Sequence, residues 1–389
     1  VPSVIIIGGG PAGCATALSY FKHSHHTRCL VIDNADPNAF KIGESLPPEA
    51  TRVLHHIHPS LPIQLRDAVQ TGTHCVCTGN TSSWATSSME ERHAIIGHGL
   101  HLNRSAFDEV LRGTVDSVEK TNRDRRLALC KGTFRSVHRM EDQQWNIEVE
   151  LDGKQITFTA KWIIDATGRK AAVATKLGAR TVSPNPLLGF YALFTGPSAS
   201  DAADGDNDNR TLIEATPDGW LYSSLLSRNP CTRIVAFHTL PTHPSVKRAR
   251  KKEGFIDLLQ EASNHIWNII ETCDYTIDEG YPRCTAAGSS YLDNICNEEE
   301  RWIAVGDAAM AFDPLSSQGM MTSLEMGFYV GSLLAKGIED PAAPSVEQSL
   351  KEIYMLVREE YERHRDYYYG IVERFQGQPF WENVINKAE

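Results

Sequence analysis

Apolar and polar positions along the chain change period several times, and each change marks an element. "VIII" (4–7) is a continuous apolar run of strand length, suited to a strand buried on both faces of a parallel sheet. The Ala- and Leu-rich "CATALSYF" (14–21) has helical character, and "RCLVID" (28–33) is a second buried strand. "EATRVLHHI" (49–57) starts a helix, and "HLNRSAFDEVLR" (101–112) runs from a strand end into an amphipathic helix with Phe107, Val110 and Leu111 inward. "WNIEVELDGKQITFTAKWIID" (145–165) alternates into a hairpin around Asp152-Gly153 and ends as a buried strand. "GWLYSSLL" (219–226) is a strand with Trp220 and Tyr222 on one face, "WIAV" (302–305) is another buried strand, and "GMMTSLEMGFYVGSLLAKG" (319–337) is a helix of small residues. The polar stretch 197–210 reads as an exposed loop, and 345–375 as a long helical segment rich in Tyr and charge.

Strands that alternate with helices predict an α/β protein whose substrate part is α+β. A Rossmann-type domain is expected over 1–75, 101–180 and 286–340, interleaved with an antiparallel-sheet substrate domain over 76–100 and 181–285. A helical C-terminal segment, 341–389, completes the chain. Its 389 residues exceed one typical core, in keeping with two closely packed domains. A net charge of −11 argues against nucleic acid and anionic membrane as partners. His74, Cys75 and Cys77 are clustered, but a single residue between thiols is poor zinc spacing, so no metal is expected. The nine cysteines form no C-x-x-C pair; their odd number and the lack of a signal peptide predict a cytoplasmic protein.

The chemistry concentrates in turns. Gly8, Gly10 and Gly13, with Pro11 and Ala12, form G-x-G-x-x-G between the first strand and helix. Gly8 makes the bend, Gly10 admits a pyrophosphate, and Gly13 lets helix pack on strand, while the helix amino terminus supplies N–H donors. Asp33 ends the second strand about 20 residues on, where an acid accepts from a ribose hydroxyl. A dinucleotide turn so near the first residue suits a flavoprotein holding FAD. Lys41, Gly43, Glu44 and Ser45, in "KIGESLPP", stand one crossover later, within reach of the flavin ring. Arg104 lies at a helix amino end that does not favour a cation, so a phosphate, a ribityl chain or a salt bridge is needed to explain it. In "GDAAMAFDPLSSQGMM" (306–321), Asp307 is placed for ribityl hydroxyls, Pro314 and Ser317 border the open face of the ring, and the amides of Gly319 and Met320 face a negative group.

These motifs, with R-x-x-F-D-x-x-L (104–111) and DATG (165–168), resemble the FAD-dependent oxygenases of the aromatic-hydroxylase superfamily over nearly the whole chain. The resemblance implies that Arg104 and Asp307 contact FAD. The DPxxSxG turn is similar to that of the tryptophan halogenases. This chain nevertheless lacks their W-x-W-x-I-P segment, has no Lys between 42 and 119 where they carry a catalytic one, and has Ala311 in place of a Phe. "GESLPP", Trp220-x-Tyr222 and the tail "DYYYGIVERFQGQPFW" (366–381) are similar to the LodB-like flavoproteins, which oxygenate a Trp of a partner protein to mature tryptophylquinone oxidases. The implied activity is a monooxygenase that uses a flavin C4a-(hydro)peroxide on an electron-rich aromatic group, in a small metabolite or a protein. A halogenase and a non-oxygenating oxidase or dehydrogenase are the alternatives. Glu44 and His74 are the candidate acid or base, against roles as a turn capper and a surface imidazole; Trp220 and Tyr222 are candidate pocket walls, against ordinary core. Only one Rossmann turn is present, so the reductant is NAD(P)H binding directly or a partner flavin reductase.

Overall fold

The computed structural model describes residues 2–121, 126–197, 206–340 and 342–385. Positions 198–205 of the expected loop, and 341 and 386–389 of the C-terminal segment, lie outside the described residues.

The first apolar run, Val4–Ile7, is at most 3% exposed and lies inside a six-stranded sheet. Parallel neighbours flank it, Cys29–Asp33 on one side and Trp162–Asp165 on the other. Leu127–Lys131 and Trp302–Ala304 extend the parallel set, and Cys296–Asn297 closes one edge antiparallel. Helix Pro11–His23 follows the first strand and packs against helix Gly319–Glu339. Their contact is a seam of small residues: a Cβ on Gly327 would lie 2.5 Å from the Ala12 carbonyl oxygen, and one on Gly331 2.4 Å from that of Thr16. Both helices therefore run close together and open their amino ends on the same side.

A second, mostly antiparallel sheet of eight strands has Leu188–Gly196, Cys231–Thr239, Gly219–Arg228 and Thr211–Thr216 side by side, with Asn80–Ser83 joined parallel to the last. Strand alternation splits its side chains. Phe190, Leu221 and Phe237 pack on helices Lys252–Ala262 and His265–Thr272. Ile213, Trp220, Tyr222 and His238 take the other face, toward the first sheet's cleft. The expected hairpin forms between Trp145–Leu151 and Lys154–Ala160, with positive φ at Asp152 and Gly153. The C-terminal helix Val346–Gly370 leads into the short helix Pro379–Ile385, where Trp381 donates from Nε1 to the Thr216 carbonyl (2.8 Å).

Candidate functional site

A cavity of about 810 Å³ runs from the glycine turn to the aromatic face of the second sheet. That volume is in the upper part of the range for ligand pockets, roughly 300–1,000 Å³. Gly8, Gly10, Pro11, Ala12, Asp33, Lys41, Gly43, Glu44, Ser45, Arg104, Asp307, Pro314, Ser317, Gly319 and Met320 all line it, and so do Trp220 and Tyr222. Gly13 acts behind the surface: a Cβ there would lie 1.9 Å from the Gly8 carbonyl oxygen, so the turn closes only around glycine. Gly8 has φ +111°, with the Ala166 carbonyl 2.2 Å from where a Cβ would be.

The shape fits a dinucleotide. Gly10 and Gly319 each present a bare backbone with no atom within 4 Å of an ideal Cβ, and each stands at the amino end of a helix facing the cavity. Two sets of free amides with positive partial charge thus face one space. Asp33 accepts from the Gly9 amide at Oδ1 (3.0 Å), and its Oδ2 lies 3.5 Å from Arg112 Nη1. That places the acid at the cavity edge, where ribose hydroxyls would meet it.

Arg104 and Lys41 share a partner that the sequence reading gave no role. Buried Asp108 takes Lys41 Nζ at 2.7 Å on Oδ2 and Arg104 Nη2 at 3.2 Å on Oδ1. Arg104 Nη1 also donates to the Ile42 and Gly43 carbonyls, at 3.2 and 3.0 Å, tying the Gly-Glu turn to the helix Arg104–Thr121. A salt bridge thus accounts for the cation at this helix start. Asp307 opens onto the cavity (39% of the side chain accessible), with Arg169 Nε 3.8 Å from its Oδ2. Desolvation by the cavity walls around it raises its pKa, against the pull of Arg169 and Arg104. Arg169, also missed, donates from Nη2 to the Phe312 carbonyl (2.8 Å) and so links the DATG turn to the DPLSSQG turn. The "GR" pair after DATG was its only signal.

Glu44 is 2% exposed, and burial raises its pKa, partly offset by backbone N–H donors including that of Gly43. Tyr222 donates from Oη to Glu44 Oε2 at 3.4 Å. His74 does not join this group. It is buried away from the cavity lining, accepts at Nδ1 from the Asn103 amide (3.2 Å), and is pushed to lower pKa by burial. The short strand Cys75–Cys77 anchors it against the start of the Arg104 helix, so it is neither a surface imidazole nor a member of the site. No group of His, Cys, Asp and Glu able to hold a metal occurs among the described residues.

Trp220 and Tyr222 are both packed and pocket-lining, which joins the two readings of this strand. The Trp220 ring stacks on His238 with centroids 3.9 Å apart and planes at 13°. Its Nε1 donates to Tyr369 Oη (2.9 Å), which donates to Asp313 Oδ2 (2.8 Å) in the DPLSSQG turn. His238, Tyr369 and Asp313 come from a strand, a helix and a turn far apart in sequence, and although Asp313 and Tyr369 stand in motifs, nothing in the sequence announces that they meet.

A parallel sheet with two helix amino ends, a terminal acid and one long cleft defines a dinucleotide-binding protein, and its family and relatives make it an FAD-dependent oxidoreductase. The chain belongs to the FAD binding domain family, whose model matches residues 118–357. It is similar to the FAD-dependent oxidoreductase LodB of Marinomonas mediterranea, with 29% identity over 389 residues that cover 97% of this chain and 95% of LodB. Among solved structures it shares its fold with the flavin-dependent halogenase CmlS (TM-score 0.80, 19% identity, 98% of this chain and 67% of that one). It also shares it with QhpG, a peptidyl tryptophan dihydroxylase essential for tryptophylquinone cofactor biogenesis (TM-score 0.71, 20% identity, 98% and 78%). No helix among the described residues is long and apolar enough to cross a membrane.

Proposed function

We propose that this protein is a monooxygenase that transfers oxygen to an electron-rich aromatic ring, and that the ring is a Trp side chain of a partner protein. One observation carries the reading: the cavity that begins at the dinucleotide turn ends on an aromatic face of Ile213, Trp220, Tyr222 and His238 without a fixed charge. Reduced FAD in this cavity supplies the activation of dioxygen for transfer of one oxygen atom. The chain does the rest. Gly10, Gly319 and Met320 offer amides to the negative groups of the cofactor, and Asp33 and Asp307 take its ribose and ribityl hydroxyls. Asp108 fixes Lys41 and Arg104, and Arg104 holds the Gly43-Glu44 turn through the Gly43 carbonyl. Glu44, whose pKa burial raises, takes the Gly43 and Tyr222 donors on Oε2. Trp220 and Tyr222 flank the incoming ring and exclude water from it.

A free aromatic amino acid would bring an ammonium and a carboxylate to a face whose Ile213, Trp220, Tyr222 and His238 carry no charge. A Trp within a polypeptide brings only its ring. The activity named for QhpG supports the same choice. A partner flavin reductase is the proposed electron donor, with NAD(P)H acting directly as the rival. The test is to reduce the FAD-loaded protein anaerobically, mix it with oxygen and a Trp-containing peptide, and weigh the peptide. Addition of oxygen atoms supports the reading. Stoichiometric hydrogen peroxide with unmodified peptide overturns it, and a brominated peptide in bromide reassigns the chain as a halogenase. Repeating the reaction with NADPH alone, and then with a flavin reductase, separates the two donors.

A further inference from the structure

The second sheet has an open edge beside the cavity. Strand Arg283–Ala286 pairs antiparallel with Leu188–Gly196 on one side, and no strand among the described residues joins its other side. Arg283, Cys284 and Ala286 are exposed, while Thr285, Ala286 and the next residue, Ala287, line the cavity. The Ala287 amide donates to the Leu187 carbonyl (2.9 Å), which fixes the alternation along the strand. Arg283 and Thr285 therefore turn their backbone groups toward Leu188–Gly196, and Cys284 and Ala286 turn theirs outward. Thr285 Oγ1 makes one long bond to the Ala286 carbonyl (3.5 Å), and the other outward groups have no hydrogen-bond partner among the described residues. Native sheets guard such edges with Pro, charge or a covering segment. Pro282 and Arg283 guard the start, where the Arg283 guanidinium lies over the Tyr281 ring, 4.8 Å from its centroid. Positions 284–286 carry neither a charge nor a proline.

Register ties this edge to the aromatic face. Trp220, His238, Gly189 and Thr285 stand abreast on neighbouring strands, so their positions share the cavity face. The row opens with two stacked rings and then turns small, with bare Gly189 and short Thr285. Ala287, one pleat further along the same face, is small as well. A strand added at the edge would place its next side chain in this row, about 5 Å beyond Thr285. Over Thr285 and Gly189, a long flat ring at that position extends toward the His238 and Trp220 stack.

We infer that an extended segment of the partner protein joins this edge as an added antiparallel strand, with its target Trp opposite Thr285. The inference rests on the reading of the substrate as a Trp within a polypeptide. Antiparallel pairing continues the pattern of this part of the sheet and is the more stable choice per residue. The residues on either side of the Trp then exchange N–H and C=O bonds with Cys284 and Ala286, and the amide of the Trp itself turns away. Main-chain bonds supply the affinity of such an added strand, and the path of small residues selects for the ring.

Synthetic strand-forming peptides with one central Trp test this by calorimetry on the oxidised, FAD-loaded protein. N-methylation of either residue beside the Trp is expected to weaken binding about tenfold, the scale of one lost hydrogen bond. N-methylation of the Trp nitrogen is expected to change binding little. Ala286→Pro removes one outward N–H at an edge position, where a strand accepts proline, and is expected to weaken the unmethylated peptide by a similar factor. Equal binding of all the peptides, or a loss at the Trp nitrogen as large as beside it, overturns the pairing. Undiminished binding by a folded, FAD-loaded Ala286→Pro variant does the same. None of these results touches the oxygenation reading, which the mass of the peptide after turnover tests separately. Binding of free indole but of no peptide overturns the protein-borne substrate and this inference with it. Should Ala286→Pro not fold, the methylated series on the native protein decides alone.

Discussion

Asp108 carries more of the site than its place in a helix suggests, because two cations lean on one buried carboxylate. Its side chain is 1% exposed, and each oxygen takes a separate partner, Lys41 or Arg104. Asp108→Asn leaves both cations without a counter-charge beside a cavity, the situation in which breaking a buried pair is costly. We expect a loss on the order of 3 kcal/mol in urea unfolding and weaker FAD retention, read from the flavin absorbance after gel filtration. Glu44 makes a prediction of opposite character. Burial raises its folded pKa above the ordinary value of 4.5, so the native state holds its proton where the unfolded chain has released it. The stability contribution is full below the unfolded pKa and falls as pH rises through the folded one. Glu44→Gln removes that loss, so the gap in urea midpoint between variant and native protein should widen in the variant's favour as pH climbs above 4.5. A gap that stays flat from pH 4.5 to 8 would show that Glu44 ionises normally. Residues of this kind were unevenly legible. Arg104 and Glu44 stood in motifs, and Asp108 is visible as the i+4 partner of Arg104 once the helix is assigned. His74 was misplaced because sequence does not say which way a three-residue strand turns a neighbouring side chain.

The helices Pro11–His23 and Gly319–Glu339 explain why two turns at opposite ends of the chain meet over one cavity. Gly327 and Gly331 let the second helix approach the backbone of the first at Ala12 and Thr16, and Ser19 donates from Oγ to the Phe328 carbonyl at 2.6 Å. The spacing of the two amino ends is therefore set by the seam rather than by the turns themselves. Gly331→Ala forces a methyl against the Thr16 carbonyl, and overpacking of this sort costs about 1–3 kcal/mol. The expected result is a lower Tm together with weaker FAD binding, although residue 331 is absent from the cavity lining. Thermal unfolding with and without added FAD checks this, since a purely local defect would leave the FAD-induced rise in Tm unchanged. Elements were the most legible part of the fold. The apolar runs gave the strands and the glycine spacing gave the turn, because both follow from local sterics and burial. The register of the second sheet was not legible. That Gly189, His238 and Trp220 stand abreast follows from strand pairing across some fifty residues, which no local pattern encodes.

Across the whole molecule, the C-terminal segment joins the sheet that ends the cavity to the DPLSSQG turn that also lines it. Arg374 reaches the Ser83 and Ala215 carbonyls at 2.7 and 3.0 Å, and Trp381 reaches that of Thr216, all on the second sheet. From the same segment, Tyr361 Oη accepts from the Asp313 amide at 3.2 Å and Tyr369 donates to the Asp313 carboxylate. Tyr369 belongs to both sets, because it accepts from Trp220 and donates to Asp313. If the segment were only a packed cover, Tyr369→Phe and Trp220→Phe would destabilise independently. If the hydrogen-bonded chain is the joint, either change breaks the Trp220–Tyr369 bond, and the double variant loses less than the two single losses together. Such coupling between directly bonded residues lies at about 0.5–3 kcal/mol. Tyr369→Phe should also cost more than Trp220→Phe at this bond, since it strands the buried Asp313 carboxylate as well as the indole N–H. Urea unfolding of the four proteins at one pH measures both quantities. A coupling within error of zero would reduce Tyr369 to a filler of space and make the turn at Asp313 independent of the aromatic face.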